Sequence, residues 1–180
     1  HFLYNLFNNM IWMMEQKDYE KLEVLIQSTA GYYKTALNFG NRDILLMDNR
    51  RQLECYGEIQ KIRFGDRFTL QVDFPEELQF YSIPNLLLQP LVENALYHGL
   101  LHCNAGSSIY LSARRENKII YFTVKDDGAG MAPETLEQLQ KLLEEKPRFG
   151  ELSQHANESI GLKNINARIR LYYGEDYGLS

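Results

Sequence analysis

Two short segments of this sequence carry the residue types of an adenine nucleotide site. Residues 126–131 read Asp-Asp-Gly-Ala-Gly-Met after a strand-like stretch, and Asn94 lies thirty-two residues before Asp126. A carboxylate at a strand end can accept a hydrogen bond from the adenine amino group, whereas it would repel the carbonyl of guanine. Gly128 and Gly130 would let the backbone approach the base closely. Asn94 offers a neutral oxygen that suits Mg²⁺ bound to phosphates, so the two segments together predict an adenine nucleotide site.

Further polar residues could contact phosphates or a metal ion. Gly161 lies at the predicted start of the last helix, where free N–H groups attract a triphosphate, and Lys163 could add a positive charge. His98 lies four residues after Asn94, so one helix would present both on the same side. A zinc site is the disfavoured alternative, because no further cysteine or acidic partner completes the set of His98, His102 and Cys103.

The composition narrows the function classes. With 180 residues and 44% hydrophobic content, the chain can bury one core, or one core plus a small helical appendage. A net charge of −5 and a pI near 5.4 argue against nucleic-acid binding. Cys55 and Cys103 lack paired spacing, which predicts a reducing compartment. No signal peptide or long apolar run is visible, but the chain begins at His1 without Met. We therefore expect a piece of a longer protein, which leaves room for a membrane-anchored parent.

The chain is predicted to divide near residue 65, with helices over residues 1–64. Apolar residues trace a seam on each of two helices, and Asp18 would cap the second. The seams are Leu3, Phe7, Met10 and Met14 on the first helix, and Leu22, Ile26, Thr29, Tyr33 and Ala36 on the second. Such a hairpin cannot bury both faces alone, so it predicts a homodimer through a four-helix bundle. The alternative is packing of the hairpin on its own C-terminal domain.

The remaining elements follow from periodicity. Gly40 and Asn41 are predicted to end the second helix, and a third helix is expected from Arg50 to Arg63. Residues 65–180 have α/β character. The predicted elements are a strand at residues 68–74, a helix at 88–99, a hairpin at 109–124 that delivers Asp126, a short helix from Pro133 to Glu145, and a last helix from Ile160 with Leu162, Ile165, Ile169 and Tyr172 inward.

Five segments, in order, resemble the motifs of bacterial sensor histidine kinases of the YesM/LytS type. They are the phosphoacceptor motif (residues 1–5, His-Phe-Leu-Tyr-Asn), the lead-in to the catalytic domain (58–64), the asparagine box (89–99), the first glycine box (126–131) and the second glycine box (160–164). The family normally continues past Ser180 into closing strands of its sheet. The resemblance covers nearly the whole chain and implies an α+β fold, in which the helical hairpin precedes a Bergerat-type ATP-binding α/β sandwich with a mixed sheet.

The resemblance also implies a reaction and its residues. ATP would phosphorylate His1, and the phosphoryl group would pass to an aspartate of a response regulator. The parent would be a homodimer on the cytoplasmic side of the bacterial membrane. Glu93 would orient or deprotonate the imidazole, and Asn94 would bind Mg²⁺. The implied nucleotide contacts are Asn94, His98, Asp126, Gly128, Gly130, Gly161, Leu162, Lys163 and Asn164.

Two positions bear on the choice between a histidine kinase and two alternative functions. Pro90 stands where ATP-hydrolysing relatives usually carry a water-activating glutamate, which disfavours a gyrase-like hydrolase. A neutral imidazole, with a pKa of about 6.5, is instead a competent nucleophile near pH 7. Ser159 stands where the second glycine box usually has glycine, which predicts weaker nucleotide affinity. Ser159 also sustains the alternative of a degenerate nucleotide-binding dimerisation module that signals by conformation alone.

Overall fold

A computed structural model describes residues 2–100, 107–144 and 158–180 of the chain. The chain forms two compact units, His1–Gly128 and Ala129–Ser180. The domain boundary predicted near residue 65 lies inside the first unit and stays a prediction. Within the described ranges, no helix combines the length and the apolar character that crossing a membrane requires.

The first unit opens with the predicted helical hairpin. α1 spans Phe2–Glu15 and α2 spans Tyr19–Leu37. Asp18 caps α2 as predicted, because its Oδ1 accepts a hydrogen bond from the Lys21 N–H at 3.3 Å.

α2 ends earlier than predicted. Its last residue is Leu37, whereas the sequence placed the stop at Gly40 and Asn41. Asn38 adopts the left-handed conformation that terminates a helix, and its Nδ2 donates to the Asp43 carbonyl at 2.6 Å. After glycine, asparagine is among the residues that adopt this conformation most readily. The helix therefore ends at Asn38, before it reaches Gly40.

The hairpin buries a face beside the predicted seams. The residues that it buries within the chain are Leu6 and Met13 on α1 and Leu25 and Tyr32 on α2. Four residues of the predicted seams stay exposed, namely Leu3, Phe7, Met14 and Ile26. Four other seam residues pack partly buried against the chain's own core, namely Met10, Leu22, Tyr33 and Ala36. The seam of α1 is therefore the more exposed of the two.

α3 spans Leu46–Phe64 and begins four residues before the predicted Arg50. Leu45 precedes it in an extended conformation and contributes no capping side chain. The Leu46 N–H instead donates to the carbonyl of Tyr81 at 2.8 Å. The acceptor for this first N–H group thus comes from a residue far along the chain. No capping residue next to α3 is needed, so the local sequence does not mark where the helix begins.

The sheet confirms the predicted strand and hairpin. The described strands are β1 (Asp43–Leu45), β2 (Phe68–Asp73), β3 (Ser82–Pro84), β4 (Ser107–Glu116) and β5 (Ile119–Asp126). β2 lies parallel to β4, and β4 lies antiparallel to β5, which gives a mixed sheet. β1 and β3 pair antiparallel and were not predicted, since three residues are too few to show an alternating pattern.

One helix covers β4 and β5. α4 spans Gln89–Leu100, as predicted, and its buried residues Val92 and Leu96 face the core. On the sheet, Ile109 and Leu111 are almost completely buried. The α+β architecture with a mixed sheet is confirmed.

The second unit contains α5 (Pro133–Glu144) and α6 (Glu158–Tyr173), close to their predicted bounds. Ile165 is buried as predicted, but Tyr172 is 49% exposed, so its predicted inward position is wrong. The Tyr172 ring packs edge-on against Tyr173 at 4.8 Å in the last turn. A tyrosine at a helix end can rest on a neighbouring ring while its hydroxyl stays in water.

Two helical glycines allow close approach to neighbouring elements. A Cβ at Gly57 of α3 would lie 3.1 Å from Leu70 Cδ2 of β2. A Cβ at Gly31 of α2 would lie 2.7 Å from the Cys55 Sγ of α3, which is closer than real contacts allow. The cost of glycine in a helix is therefore offset at both positions by packing.

We expect Gly31→Ala to lower the free energy of unfolding by about 1–2 kcal/mol, because the new methyl group meets the Cys55 sulfur. In a Cys55→Ala background the sulfur is gone, so the same substitution should raise stability by about 0.5–1 kcal/mol through helix propensity. Urea unfolding of the parent, the two single variants and the double variant measures this reversal of sign. Equal effects in both backgrounds would contradict close packing at Gly31.

Candidate functional site

The end of β5 carries two carboxylates with different surroundings. The Asp126 Oδ1 accepts a hydrogen bond from the Gly128 N–H at 3.0 Å, and the side chain is exposed. The Asp127 Oδ1 accepts from the Ser108 N–H at 2.6 Å, which ties Asp127 to the start of β4. Both side chains are exposed, but Asp127 is bound to a neighbouring strand, whereas Asp126 bonds only within its own turn. Asp126 therefore stays the candidate adenine reader.

Asn94 lies on α4, the helix that packs against β4 and β5. It is half-buried, and its neighbour Ala95 is buried against the sheet. β5 ends in Asp126, so Asn94 and Asp126 lie on a helix and a strand that pack against each other. The predicted partner His98 also belongs to α4, but its side chain lies outside the described part of the structure.

A chain of side-chain hydrogen bonds ends on Glu93, the residue before Asn94. The Gln89 Nε2 donates to the Glu93 Oε1 at 2.7 Å, one helical turn away on α4. The Tyr32 hydroxyl of α2 donates to the Gln89 Oε1 at 3.0 Å. Sequence reasoning assigned a role to Glu93 but missed Gln89 and Tyr32. The Gln-x-x-x-Glu spacing on one helix face is the only local signal that points to the first pair.

Aromatic rings pack around Tyr32, at one end of this series of hydrogen bonds. The Tyr32 ring centre lies 6.2 Å from that of Tyr56, and the Phe2 ring lies 5.9 Å from Tyr32 and 6.2 Å from Tyr56. Burial raises the pKa of the Tyr32 and Tyr56 hydroxyls, and the negative charge of Glu93 acts in the same direction. Both hydroxyls therefore stay protonated near neutral pH and can serve as hydrogen-bond donors.

The remaining predicted nucleotide contacts belong to the second unit. Gly130 has a φ of +70°, the left-handed conformation that favours glycine. Gly161 lies in the first turn of α6, as predicted, and a Cβ there would meet no described atom within 4 Å. Lys163 and Leu162 are half-buried, and Asn164 is exposed.

Several predicted residues lie outside the described part of the chain. They are His1, His102 and Cys103, together with the side chains of His98 and Ser159. Among the residues that the structure describes, no three His, Cys, Asp or Glu side chains cluster as a metal site would require.

Comparison with known proteins identifies the fold family. Residues 84–177 match the family model of "Histidine kinase-, DNA gyrase B-, and HSP90-like ATPase". The chain belongs to this ATPase family. Its N-terminal part, residues 1–68, matches the "Histidine kinase" family model. The predicted family membership and the Bergerat-type fold are thereby confirmed, and ATP is the nucleotide that membership implies.

The similar curated proteins include sensor kinases. The chain is 33% identical to YwpD of Bacillus subtilis (strain 168), over 100% of this chain and 61% of YwpD. It is 27% identical to the sensor histidine kinase YesM of the same strain, over 99% of this chain and 28% of YesM. It is 29% identical to the sensor protein LytS of Staphylococcus haemolyticus (strain JCSC1435), over 97% of this chain and 28% of LytS. The chain thus spans less than two thirds of each relative.

We expect Asp126→Asn to weaken ATP binding about tenfold to about 150-fold, because a charge-assisted hydrogen bond to the adenine amino group is lost. The same change should improve relative binding of GTP, since the new amide can donate to the guanine carbonyl. Calorimetry with both nucleotides measures the two effects. Asp127→Asn is the matched control and should leave the ATP-to-GTP preference unchanged. If Asp126→Asn also preserves that preference, Asp126 does not read the base.

Proposed function

We propose that this chain is the catalytic portion of a two-component sensor histidine kinase. It transfers the γ-phosphoryl group of ATP to the imidazole of His1 and then to an aspartate of a response-regulator receiver domain. The single observation that carries the proposal is the series of contacts from Phe2 to Glu93. Phe2, which follows His1 directly, packs on Tyr32 and Tyr56, and Tyr32 is joined through Gln89 to Glu93. The segment of the phosphoacceptor motif and the segment of the asparagine box are therefore linked through Tyr32, which contacts Phe2 and donates a hydrogen bond to Gln89.

The proposed chemistry uses a neutral imidazole. One ring nitrogen of His1 forms the new N–P bond, and the bond from the γ-phosphorus to the bridging oxygen breaks with its electron pair on ADP. Glu93 orients the ring and accepts the proton from its other nitrogen. Pro90 occupies the first turn of α4, so the position that activates water in hydrolases carries no carboxylate here. This arrangement favours transfer to protein over transfer to water.

The nucleotide contacts supply binding and orientation. The exposed Asp126 carboxylate and the left-handed Gly130 fit a base that approaches the backbone closely. Asn94 would hold Mg²⁺ through its amide oxygen, an acceptable ligand for a hard cation, and bound Mg²⁺ would neutralise phosphate charge. His98, Gly128, Gly161, Leu162, Lys163 and Asn164 complete the proposed set of nucleotide contacts.

A homodimer is proposed from an exposed apolar stripe on α1, which shares Phe7 and Met14 with the predicted seam. Phe7 and Ile11 are 54% and 51% exposed, and Tyr4 and Met14 extend the stripe with a 3-4-3 spacing. An apolar stripe of this period is typical of helices that pair in a bundle. The parent protein would lie on the cytoplasmic side of the bacterial membrane, as a sensor of this type does.

Incubation of the chain, extended by the residues that precede His1 in its parent, with γ-labelled ATP should give an acid-labile label on the protein. We expect His1→Gln to abolish the label, because the nucleophilic nitrogen is lost, and His155→Gln to leave it unchanged.

Each other outcome points to a different function. Free phosphate without labelled protein would identify a hydrolase. ATP binding without turnover would identify a module that signals by conformation. A label that persists after His1→Gln would assign the acceptor to another histidine.

We expect the double variant Phe7→Glu, Ile11→Glu to weaken the dimer more than about a hundredfold, since two carboxylates cannot be buried unpaired. Both side chains are exposed within one chain, so folding should persist. Light scattering at micromolar concentration would then report a monomer with an unchanged circular dichroism spectrum. Leu171→Glu, at an exposed position of α6, is the control and should remain dimeric. A dimeric double variant would mean that this stripe of α1 is not the interface.

A further inference from the structure

The Tyr32–Gln89–Glu93 relay, defined by the two hydrogen bonds between these side chains, joins the helical hairpin to the helix that carries Asn94. Tyr32 lies on α2, fifty-seven residues before Gln89 on α4. Tyr32 and Gln89 are both buried, whereas Glu93 is half-buried. The relay thus runs from the interior of the fold toward the surface and ends on a carboxylate.

The charge of Glu93 fixes the direction of the relay. An ionised carboxylate can only accept hydrogen bonds, so Gln89 must offer its Nε2 to Glu93 at 2.7 Å. The Gln89 Oε1 then faces Tyr32, whose hydroxyl must donate at 3.0 Å. A reversed amide would place two acceptors against each other at the Glu93 end. One orientation of each of the three groups therefore satisfies both bonds.

The aromatic cluster restrains the relay further. The Tyr32 ring is held by contacts with Phe2, Tyr33 and Tyr56, at centre distances from 5.3 to 6.2 Å. Buried hydrogen bonds in such surroundings are stronger and more directional than exposed ones. Rotation of the Gln89 amide would leave a buried polar group without its partner, which is costly.

We propose that Gln89 is a positioning residue that holds the Glu93 carboxylate in the orientation needed at the phosphoacceptor histidine, and that Tyr32 fixes the Gln89 amide. The proposal rests on the proposed function, in which Glu93 acts on His1. Its consequence is that α2 influences phosphorylation through the hydroxyl of one tyrosine, without contacting the nucleotide.

The test separates rate from affinity in the chain extended upstream of His1. Gln89→Met keeps the length of the side chain but removes both hydrogen bonds, and it should slow phosphorylation at saturating Mg-ATP roughly tenfold. Tyr32→Phe removes one oxygen and should slow it about threefold. The affinity for Mg-ATP, measured by calorimetry, should change less than about twofold in both variants. Combining the two substitutions should add little to Gln89→Met alone, because both interrupt one relay.

An exposed pair of the same chemistry supplies the control. The Gln27 Nε2 donates to the Glu23 Oε1 at 2.9 Å on the surface of α2, with the same four-residue separation. Gln27→Met should leave the rate unchanged.

A swapped pair tests whether the carboxylate must lie at position 93, with the hydrogen bonds of the relay kept. In the double variant Gln89→Glu, Glu93→Gln, residue 89 can accept from Tyr32 and from residue 93, so both hydrogen bonds return with the carboxylate moved. The melting temperature should return to within about 2 °C of the parent, while phosphorylation stays slow.

Three outcomes would overturn the inference. In the first, Gln89→Met phosphorylates at the parental rate although Glu93→Gln is slow. In the second, rate and ATP affinity fall together in both relay variants. In the third, the variant that combines Gln89→Met with Tyr32→Phe is about threefold slower than Gln89→Met alone, so that the two residues act independently and not through one relay. A parental rate for Glu93→Gln or for the swapped pair, or no phosphohistidine in the parent chain, would instead refute the proposed function on which the inference rests.

Discussion

Hydrogen bonds between buried amide side chains join α3 to the rest of the first unit, and the placing of the hairpin depends on them. The Asn49 Nδ2 donates to the Gln52 Oε1 at 3.1 Å, and the Gln52 Nε2 donates to the Asn85 Oδ1 at 3.3 Å. Asn85 in turn donates through Nδ2 to the Ala36 carbonyl near the end of α2, at 2.7 Å. Asn49 and Gln52 are completely buried, so breaking this series would leave polar groups without water or protein partners.

Directional bonds of this kind fix register in a way that apolar contacts do not. A leucine interface between helices tolerates small slips, because dispersion contacts can be remade after a shift. The bond from Asn85 to Ala36 has a single geometry, since sliding α2 by one residue would present a different carbonyl. With α2 held in register, the Tyr32 hydroxyl meets Gln89, and the position of Gln89 decides where the Glu93 carboxylate lies. The buried amide hydrogen bonds therefore affect the position of the Glu93 carboxylate, which is linked to Tyr32 of α2 through Gln89.

The sequence predicted those features whose cause lies within a few residues. Alternating apolar residues placed β4 and β5, and thereby put Asp126 at a strand end; Pro133 marked the start of α5. The beginning of α3 was missed because the carbonyl that satisfies its first N–H belongs to Tyr81, far along the chain. The roles of Gln89 and Tyr32 were missed for the same reason. No pattern within α4 indicates that an amide there meets a tyrosine fifty-seven residues earlier.

α2 combines three constraints on different sides of one helix. Ile26 is exposed, Gly31 meets α3 without a side chain, and Tyr32 reaches Gln89. Gly31 and Tyr32 are adjacent, so the separation of α2 from α3 at Gly31 also determines where the tyrosine hydroxyl can lie. A larger residue at 31 would push α2 away from Cys55 and draw the hydroxyl away from the amide. The hydrogen bond from Tyr32 to Gln89 therefore requires the close packing that Gly31 permits. A movement of the hairpin would change this bond and, through Gln89, the orientation of the Glu93 carboxylate.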